Sequence, residues 1–263
     1  LIKKDVDEIM TTDYEFRGLM AATWDAFRGD TSKWDDRFFY LDQIGRSGQP
    51  VLDVGCGTGR LLLDYLQQGI DIDGVDNSPE MLAVLRRKAA ELGLQPTVYE
   101  QSMEALDLPR RYRTILVPSS SLQLLTEPGQ AAAAVERFAA HLEPGGALVA
   151  PFMTLWAEGE PLSSSWEKTI DQPDGSQVRR IARSWYDPKT ECETTEDVYH
   201  VLRDGKVVLE EHHRRKNATR SYTQDAAQDL FAGAGLKDIQ LYAGSTQKPA
   251  GPADAIFTVV GVK

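Results

Sequence analysis

Three glycines, Gly55, Gly57 and Gly59, alternate in the stretch VLDVGCGTGR, residues 51–60, directly behind a short apolar run. A glycine turn between a strand and a helix brings backbone within contact distance of a nucleotide, because no Cβ stands in the way. A dinucleotide loop of the form G-x-G-x-x-G/A needs a small residue at its last position for close helix packing, and position 60 here is arginine. A phosphate-binding P-loop needs a Lys-Ser/Thr pair after its glycines, whereas Gly59 is followed by Arg60 and Leu61. About 20 residues beyond the loop, Asp76 closes the next apolar run, where a carboxylate can accept hydrogen bonds from both ribose hydroxyls. A glycine loop without phosphate machinery and an acidic ribose hook together suit an adenosine carrying a short zwitterionic tail.

The rest of the composition narrows the chemistry by exclusion. A formal net charge of −11 over 263 residues argues against a polyanionic partner, so no nucleic acid is expected. Cys56 and Cys192 are far apart and lack metal-ligand spacing, which points to two reduced thiols and no metal site. No apolar run approaches the roughly 20 residues of a membrane span, and LIKKDVDEIM has no signal-peptide core, so a cytoplasmic protein with no membrane partner is expected. Oligomeric state is left open, a dimer included.

The elements that must position the loop read clearly in the periodicity. Residues 14–27 are expected to form an amphipathic helix with Phe16, Met20, Trp24 and Phe27 on one face. A second helix is expected through residue 45, capped by Ser32. Strands at 51–54, 70–75, 97–100, 114–117 and 147–152 then alternate with helices at 58–68, 79–92 and 131–142. Ser78-Pro79 has the cap-then-proline form of a helix start. This alternation predicts a doubly wound α/β fold, a mostly parallel sheet whose ligands sit at the carboxyl ends of its strands. Residues 154–221 change character: PDG, DPKT and RDG punctuate runs rich in Val, Ile, Tyr and Thr, predicting three or four antiparallel strands. A helix capped by Thr223 and strands at 238–242 and 255–262 follow. The division expected is an N-terminal helical lid, 1–47; a nucleotide-binding domain, 48–152 and 222–263; and an antiparallel β insertion, 153–221.

The sequence resembles the class I S-adenosylmethionine-dependent methyltransferases. VLDVGCGTGR matches their first motif, IDGVDNSPEML the ribose-binding second, RTILVPSSSLQLL the segment lining the methyl-transfer site, and HLEPGGALV the approach to the fifth strand, in the expected order over roughly residues 50–152. The resemblance implies a Rossmann-like seven-stranded sheet whose last two strands form an antiparallel pair, with S-adenosylmethionine as cofactor. It further implies that Gly55 and Gly57 contact the methionine part, that Gly59 makes the close turn and Cys56 lies beneath this seat, that Asp53 orients the loop or a bound water, and that Asp76 with Asn77 holds the ribose. Met81 and Met103 would border the adenine. Pro118 would offer a carbonyl to the cofactor's amino group, with Ser119 and Ser120 beside the methyl. Relatives often carry an acidic residue where this chain has Ser102, and a tyrosine where it has Trp24; either Ser102 substitutes for the first or the contact falls to backbone, and Tyr14 or Arg28 takes over from the second.

The helical N-terminus and the β insertion look like those of small-molecule members, including sugar-amine and glycine N-methyltransferases, where both roof the substrate pocket. That implies methyl transfer to N or O of a small-molecule acceptor. Trp24, Phe27, Trp34 and Phe38 are candidates either for an aromatic pocket facing a cation or for plain helix packing. Gln123 either faces substrate or joins its neighbours Leu122, Leu124 and Leu125 in the core. Alternation in the insertion puts His200 and Val198 opposite Tyr199 and Val201, which makes His200 a candidate general base or a sheet-surface histidine. Arg179, Arg180, Arg183 and Arg214 to Lys216 could recognise an anion or form a mixed, solvated face with nearby glutamates. A nicotinamide-dependent reductase and a non-catalytic binding protein on the same fold are the alternatives.

Overall fold

The computed structural model describes the backbone of residues 2–4 and residues 16–263. Tyr14 lies outside the described residues. In chain order the elements are β1 (Ile2–Lys4), α1 (Gly18–Arg28), α2 (Asp35–Ser47), β2 (Val51–Val54), α3 (Leu62–Gln67), β3 (Ile72–Asp76), α4 (Pro79–Glu91), β4 (Thr97–Glu100), β5 (Tyr112–Leu116), α5 (Gln130–His141) and β6 (Leu142–Met153). There follow β7 (Ser163–Asp171), β8 (Gln177–Asp187), β9 (Cys192–Arg203), β10 (Lys206–Arg220), α6 (Gln224–Gly233), β11 (Lys237–Ala243) and β12 (Ile256–Val262).

Seven of the strands form one sheet in the order β11-β12-β6-β5-β2-β3-β4. β2 pairs in parallel with β3 and β5, β3 with β4, and β5 with β6, while β12 runs antiparallel to both β6 and β11. The central strand β2 is apolar along its length apart from Asp53 and buried throughout, as a sheet covered on both faces requires. Phe138 of α5 and Phe231 of α6 pack on one face; Phe39 and Tyr40 of α2, Leu62 of α3 and Leu82 of α4 pack on the other. Strand order reverses at β2, between β3 and β5, so the loops after β2 and β5 open a crevice at the carboxyl end.

The second sheet, β1-β10-β9-β8-β7, is built from the chain between β6 and α6 plus the N-terminal strand, which pairs in parallel with β10. Residues 2–4 carry no strand signal in the sequence and take their form from the exposed edge of β10. Asp204 and Gly205 both have positive φ (50° and 70°), the two-residue hairpin turn that an Asp-Gly pair favours. Val207 faces Leu202 but Leu209 faces Val201, so an extra residue is inserted at Val208 and the pairing beyond it is shifted by one. The apolar side of this sheet, with Val178 and Tyr199, receives Met20 of α1 together with Leu19, Trp24 and Phe27.

Local signals hold where a side chain makes the expected bond. Ser78 Oγ accepts the Met81 amide at 3.1 Å and Thr223 Oγ1 the Ala226 amide at 3.2 Å, each capping a helix. Ser32 is not a cap: its own amide donates to Asp30 Oδ1 in a turn, and α2 begins only at Asp35, behind Trp34. The helix expected from Thr58 begins at Leu62, because residues 58–61 are spent turning the glycine loop.

Candidate cofactor and acceptor site

A cavity of about 650 Å³ opens at the carboxyl ends of β2, β3 and β5, floored by the glycine loop and closed by α1 and the second sheet. Asp53, Gly55, Cys56, Gly57, Asp76, Asn77, Met81, Met103, Pro118, Ser119 and Trp24 all line it. Gly57 has φ 54°, and a Cβ there would stand 3.2 Å from the Met81 methyl. Gly59 is turned away from the cavity: with φ 83°, a Cβ there would press to 2.9 Å on Leu63 and Leu85, so this glycine serves the close packing of α3 and α4 on the loop. Cys56 lies beneath the loop, buried, with its Sγ 2.9 Å from where a Gly74 Cβ would be. Burial pushes its thiol well above the usual range, which makes it inert as a nucleophile.

The carboxylates of the floor are held by backbone. Asp76 Oδ2 accepts the Gly57 amide and Oδ1 the Ser78 amide, both at 2.8 Å. Burial raises its pKa, opposed by these amides and that of Asn77. Asp53 is fully buried with Oδ1 unpartnered among the described residues; burial pushes its carboxyl up to about 7 against the pull of Arg60. Arg60 forks onto Asp36 of α2 at 3.0 and 2.6 Å, and Arg37 of α2 onto Asp64 of α3 at 2.6 and 2.7 Å. The large residue in the small-residue position of the loop thus clamps α2 to the floor. Thr58 of the loop and Lys88 of α4 both bond Asp25, docking α1 from the same side.

Several expected contacts are not made. Ser102 does not line the cavity; Glu104, carried inward by a one-turn 3₁₀ helix at Met103–Ala105, does, and its Oε2 is buried and unpartnered among the described residues. Its signal in the sequence was only an acid two residues late. The Pro118 carbonyl already accepts from Ser121 N at 3.1 Å and Ser121 Oγ at 2.7 Å, so it is committed within its own turn. Ser119 and Ser120 both take positive φ (57° and 55°), a strained pair for non-glycine residues; Ser119 faces the cavity and Ser120 is buried away from it. Gln123 does not line the cavity: fully buried, it brackets Met153 backbone N and O and also donates to the Arg220 carbonyl at 2.5 Å, joining the end of β10 to the end of β6.

The aromatic residues separate in the same way. Trp24 lines the cavity with the Arg28 guanidinium 4.7 Å from its ring centre, and Arg28 reaches Ser119 Oγ at 3.2 Å. Burial, with the neighbouring Arg60, lowers the pKa of Arg28. Phe27 packs edge-on against Tyr199 outside the cavity, and Trp34 and Phe38 are 38% and 52% exposed. His200 lies on the outer face of the second sheet, both ring nitrogens engaged, by Arg179 and Glu210 at 2.9 Å each. The alternation is as read, but the face with Tyr199 turns inward because it is the apolar one. Of the arginine cluster, Arg183 pairs with Glu196 on the outer face and Arg180 turns inward onto Asp197. The roof therefore consists of Thr195, Asp197, His213, Arg214 and Arg215. His213, unremarked in the sequence, stands over the cavity with Nε2 2.6 Å from Glu211 Oε1.

Among the described residues no group of His, Cys, Asp or Glu has the arrangement of a metal site, and no helix is long and apolar enough to cross a membrane.

Comparison with known proteins agrees with this geometry. Residues 51–146 match the family described as a methyltransferase domain. The chain is 29% identical over 187 residues to dTDP-3-amino-3,6-dideoxy-alpha-D-glucopyranose N,N-dimethyltransferase of Streptomyces fradiae, covering 71% of this chain and 69% of that protein. It is 30% identical over 135 residues to dTDP-3-amino-3,4,6-trideoxy-alpha-D-glucopyranose N,N-dimethyltransferase of Streptomyces venezuelae, covering 51% of this chain and 54% of that protein, about half its length. A S-adenosylmethionine-dependent methyltransferase from Clostridium acetobutylicum superposes with a TM-score of 0.72 at 17% identity, covering 92% of this chain and 96% of that one, and has the same fold.

Proposed function

We propose that this chain, whose residues 51–146 match a methyltransferase domain, uses S-adenosylmethionine to methylate the nitrogen of a small amino-sugar acceptor held beneath the second sheet. The observation that carries this reading is the roof: Asp197, and the Glu211–His213 pair on β10, bring acid and imidazole to the side of the cavity facing Ser119. Carboxylates there favour an acceptor that arrives as an ammonium, and an imidazole can take its proton. The similarity to two Streptomyces enzymes whose names specify dTDP-linked amino sugars supports a nucleotide-linked sugar, and Arg215, on the same face of β10 as His213, suits its phosphates.

The floor fits the cofactor. Gly57 and Gly55 would leave room for the methionine chain, the Asp76 carboxylate would accept from the ribose hydroxyls, and Met81 and Met103 would flank the adenine. The unpartnered Glu104 Oε2 would accept from the adenine amino group in place of Ser102, and the unpartnered Asp53 Oδ1 would take a donor at the other end. Arg28, bonded to Ser119 beside Trp24, faces the cofactor carboxylate in the role left between it and Tyr14. When bound, S-adenosylmethionine supplies a methyl on a sulfonium, which an amine lone pair displaces in line. The protein's share is alignment and exclusion of water, which can supply several kcal/mol of barrier lowering.

A panel of nucleotide-linked amino sugars and their hydroxy counterparts, incubated with cofactor and read by mass spectrometry, tests this. Gain of one or two methyls on the amino compounds alone is the expected result; methylation of the hydroxy compounds instead would overturn the assignment to nitrogen.

A further inference from the structure

We infer that His213 takes the proton from the acceptor's ammonium and that Glu211 is its positioning residue, tying the orientation of the imidazole to the docking of helix α1. This rests on the amine reading above. Glu211 Oε1 meets two groups at once: His213 Nε2 at 2.6 Å and the Leu19 amide, in the first turn of α1, at 2.8 Å. The neighbouring Gly18 amide donates to Glu80 of α4 at 2.6 Å. Two carboxylates from different layers thus hold the partially positive end of the lid helix. A Cβ at Gly18 would overlap the Glu211 carboxylate, so the approach depends on that glycine.

The consequence for His213 is its tautomer. A neutral imidazole that donates through Nε2–H to a carboxylate has a bare, accepting Nδ1, and among the described residues nothing donates to it. The Tyr199 ring, edge-on at 5.6 Å, fixes the plane of the imidazole. The charged groups around it are Glu211 and Arg215 on its own strand, Asp197 opposite on β9 with its partner Arg180 of β8, and Glu80 of α4 behind Gly18. His200 has the same residue type and a glutamate partner, but both its nitrogens are engaged on the outer face.

The acceptor ammonium gives one proton to His213 Nδ1; its freed lone pair forms the N–C bond as the S–C bond breaks, and sulfur leaves as a neutral thioether. The new methylammonium carries the charge away, and His213 returns its proton to solvent before the next turnover. Glu211 stabilises the imidazolium in between. With one oxygen serving both lid and base, the base is aligned only while α1 is docked.

The test uses the full chain, with S-adenosylhomocysteine affinity as the control for folding. His213→Ala should keep that affinity within a few-fold, lose roughly 10²- to 10⁴-fold in kcat, lose the acid limb of its kcat/KM profile, and regain turnover at pH high enough to deprotonate the acceptor unaided. Should that variant fail to fold, His213→Gln serves instead. Glu211→Gln keeps acceptors for both bonds but removes the charge; kcat should fall roughly 10- to 100-fold with KM for cofactor unchanged and the acid limb moved to lower pH. His200→Ala should match wild type. Turnover in the His213 variants within twofold of wild type, or an unmoved limb in Glu211→Gln, would overturn the inference. NMR of the imidazole nitrogens separates this from failure of the amine reading: a bare Nδ1 that is lost in Glu211→Gln supports the pairing whatever the acceptor, and a protonated Nδ1 in the wild type refutes it.

Discussion

The floor and the roof of the cavity are built by different means. The floor is backbone: the loop glycines, the strand ends and the Asp76 carboxylate held by two amides place its groups within a few residues of one another along the chain. The roof is side chains whose facing depends on strand register, and on β10 that register turns on the extra residue at Val208. A slip of one residue exchanges the two faces of a strand, so without that bulge Glu210 and His212 would stand where Glu211 and His213 do. Cofactor sites of this kind tolerate little local change, whereas an acceptor site on a bulged strand can be re-aimed by a single insertion.

Four substitutions test that division, the largest effect first. Gln123→Ala should destabilise the protein by about 3 kcal/mol in denaturant unfolding, since it strands three buried backbone groups; an unchanged midpoint with altered acceptor KM would return Gln123 to the site. Asp76→Ala should weaken S-adenosylhomocysteine binding, followed through Trp24 fluorescence, by roughly 10- to 150-fold, the equivalent of about 1.5–3 kcal/mol of charge-assisted bonds, while acceptor KM changes little. Asp53→Asn addresses pH. The Asp53 carboxyl titrates higher in the folded protein than in the unfolded chain, so its contribution to stability is full below the unfolded pKa of about 4 and is lost as pH rises through about 7. The melting temperature of the cofactor-free wild type should therefore fall between about pH 4 and about pH 7, the unfolded and folded values, more steeply than that of the variant; parallel curves would contradict the buried, raised carboxyl. His200→Ala should change stability by no more than about 0.5 kcal/mol, and a larger loss with reduced turnover would move the base back to the outer face.

Much of the floor was legible because its determinants are local. The loop, Asp76 and the Ser78-Pro79 helix start are a few residues each, and Arg60 excluded a dinucleotide loop before its partner Asp36 was visible. The Asp-Gly turn fixed the position of the β9–β10 hairpin. What the sequence withheld depends on distance. The bulge at Val208 follows an unremarkable Val-Val-Leu run, so His213 carried no mark that His200 lacked. Ser102 and Glu104 exchanged roles through one 3₁₀ turn, and Gln123 resembled a pocket residue because its three backbone partners come from β6 and β10, more than 29 positions away. The strand at Ile2–Lys4 exists only because β10 offers it an edge.

The central claim, that the glycine floor seats S-adenosylmethionine rather than a dinucleotide, is tested most directly by calorimetric titration of the wild type with S-adenosylhomocysteine and with NADH. Saturable one-to-one binding of the first and no heat from the second is predicted. Absence of binding by the first, or tight binding of NADH, would contradict it.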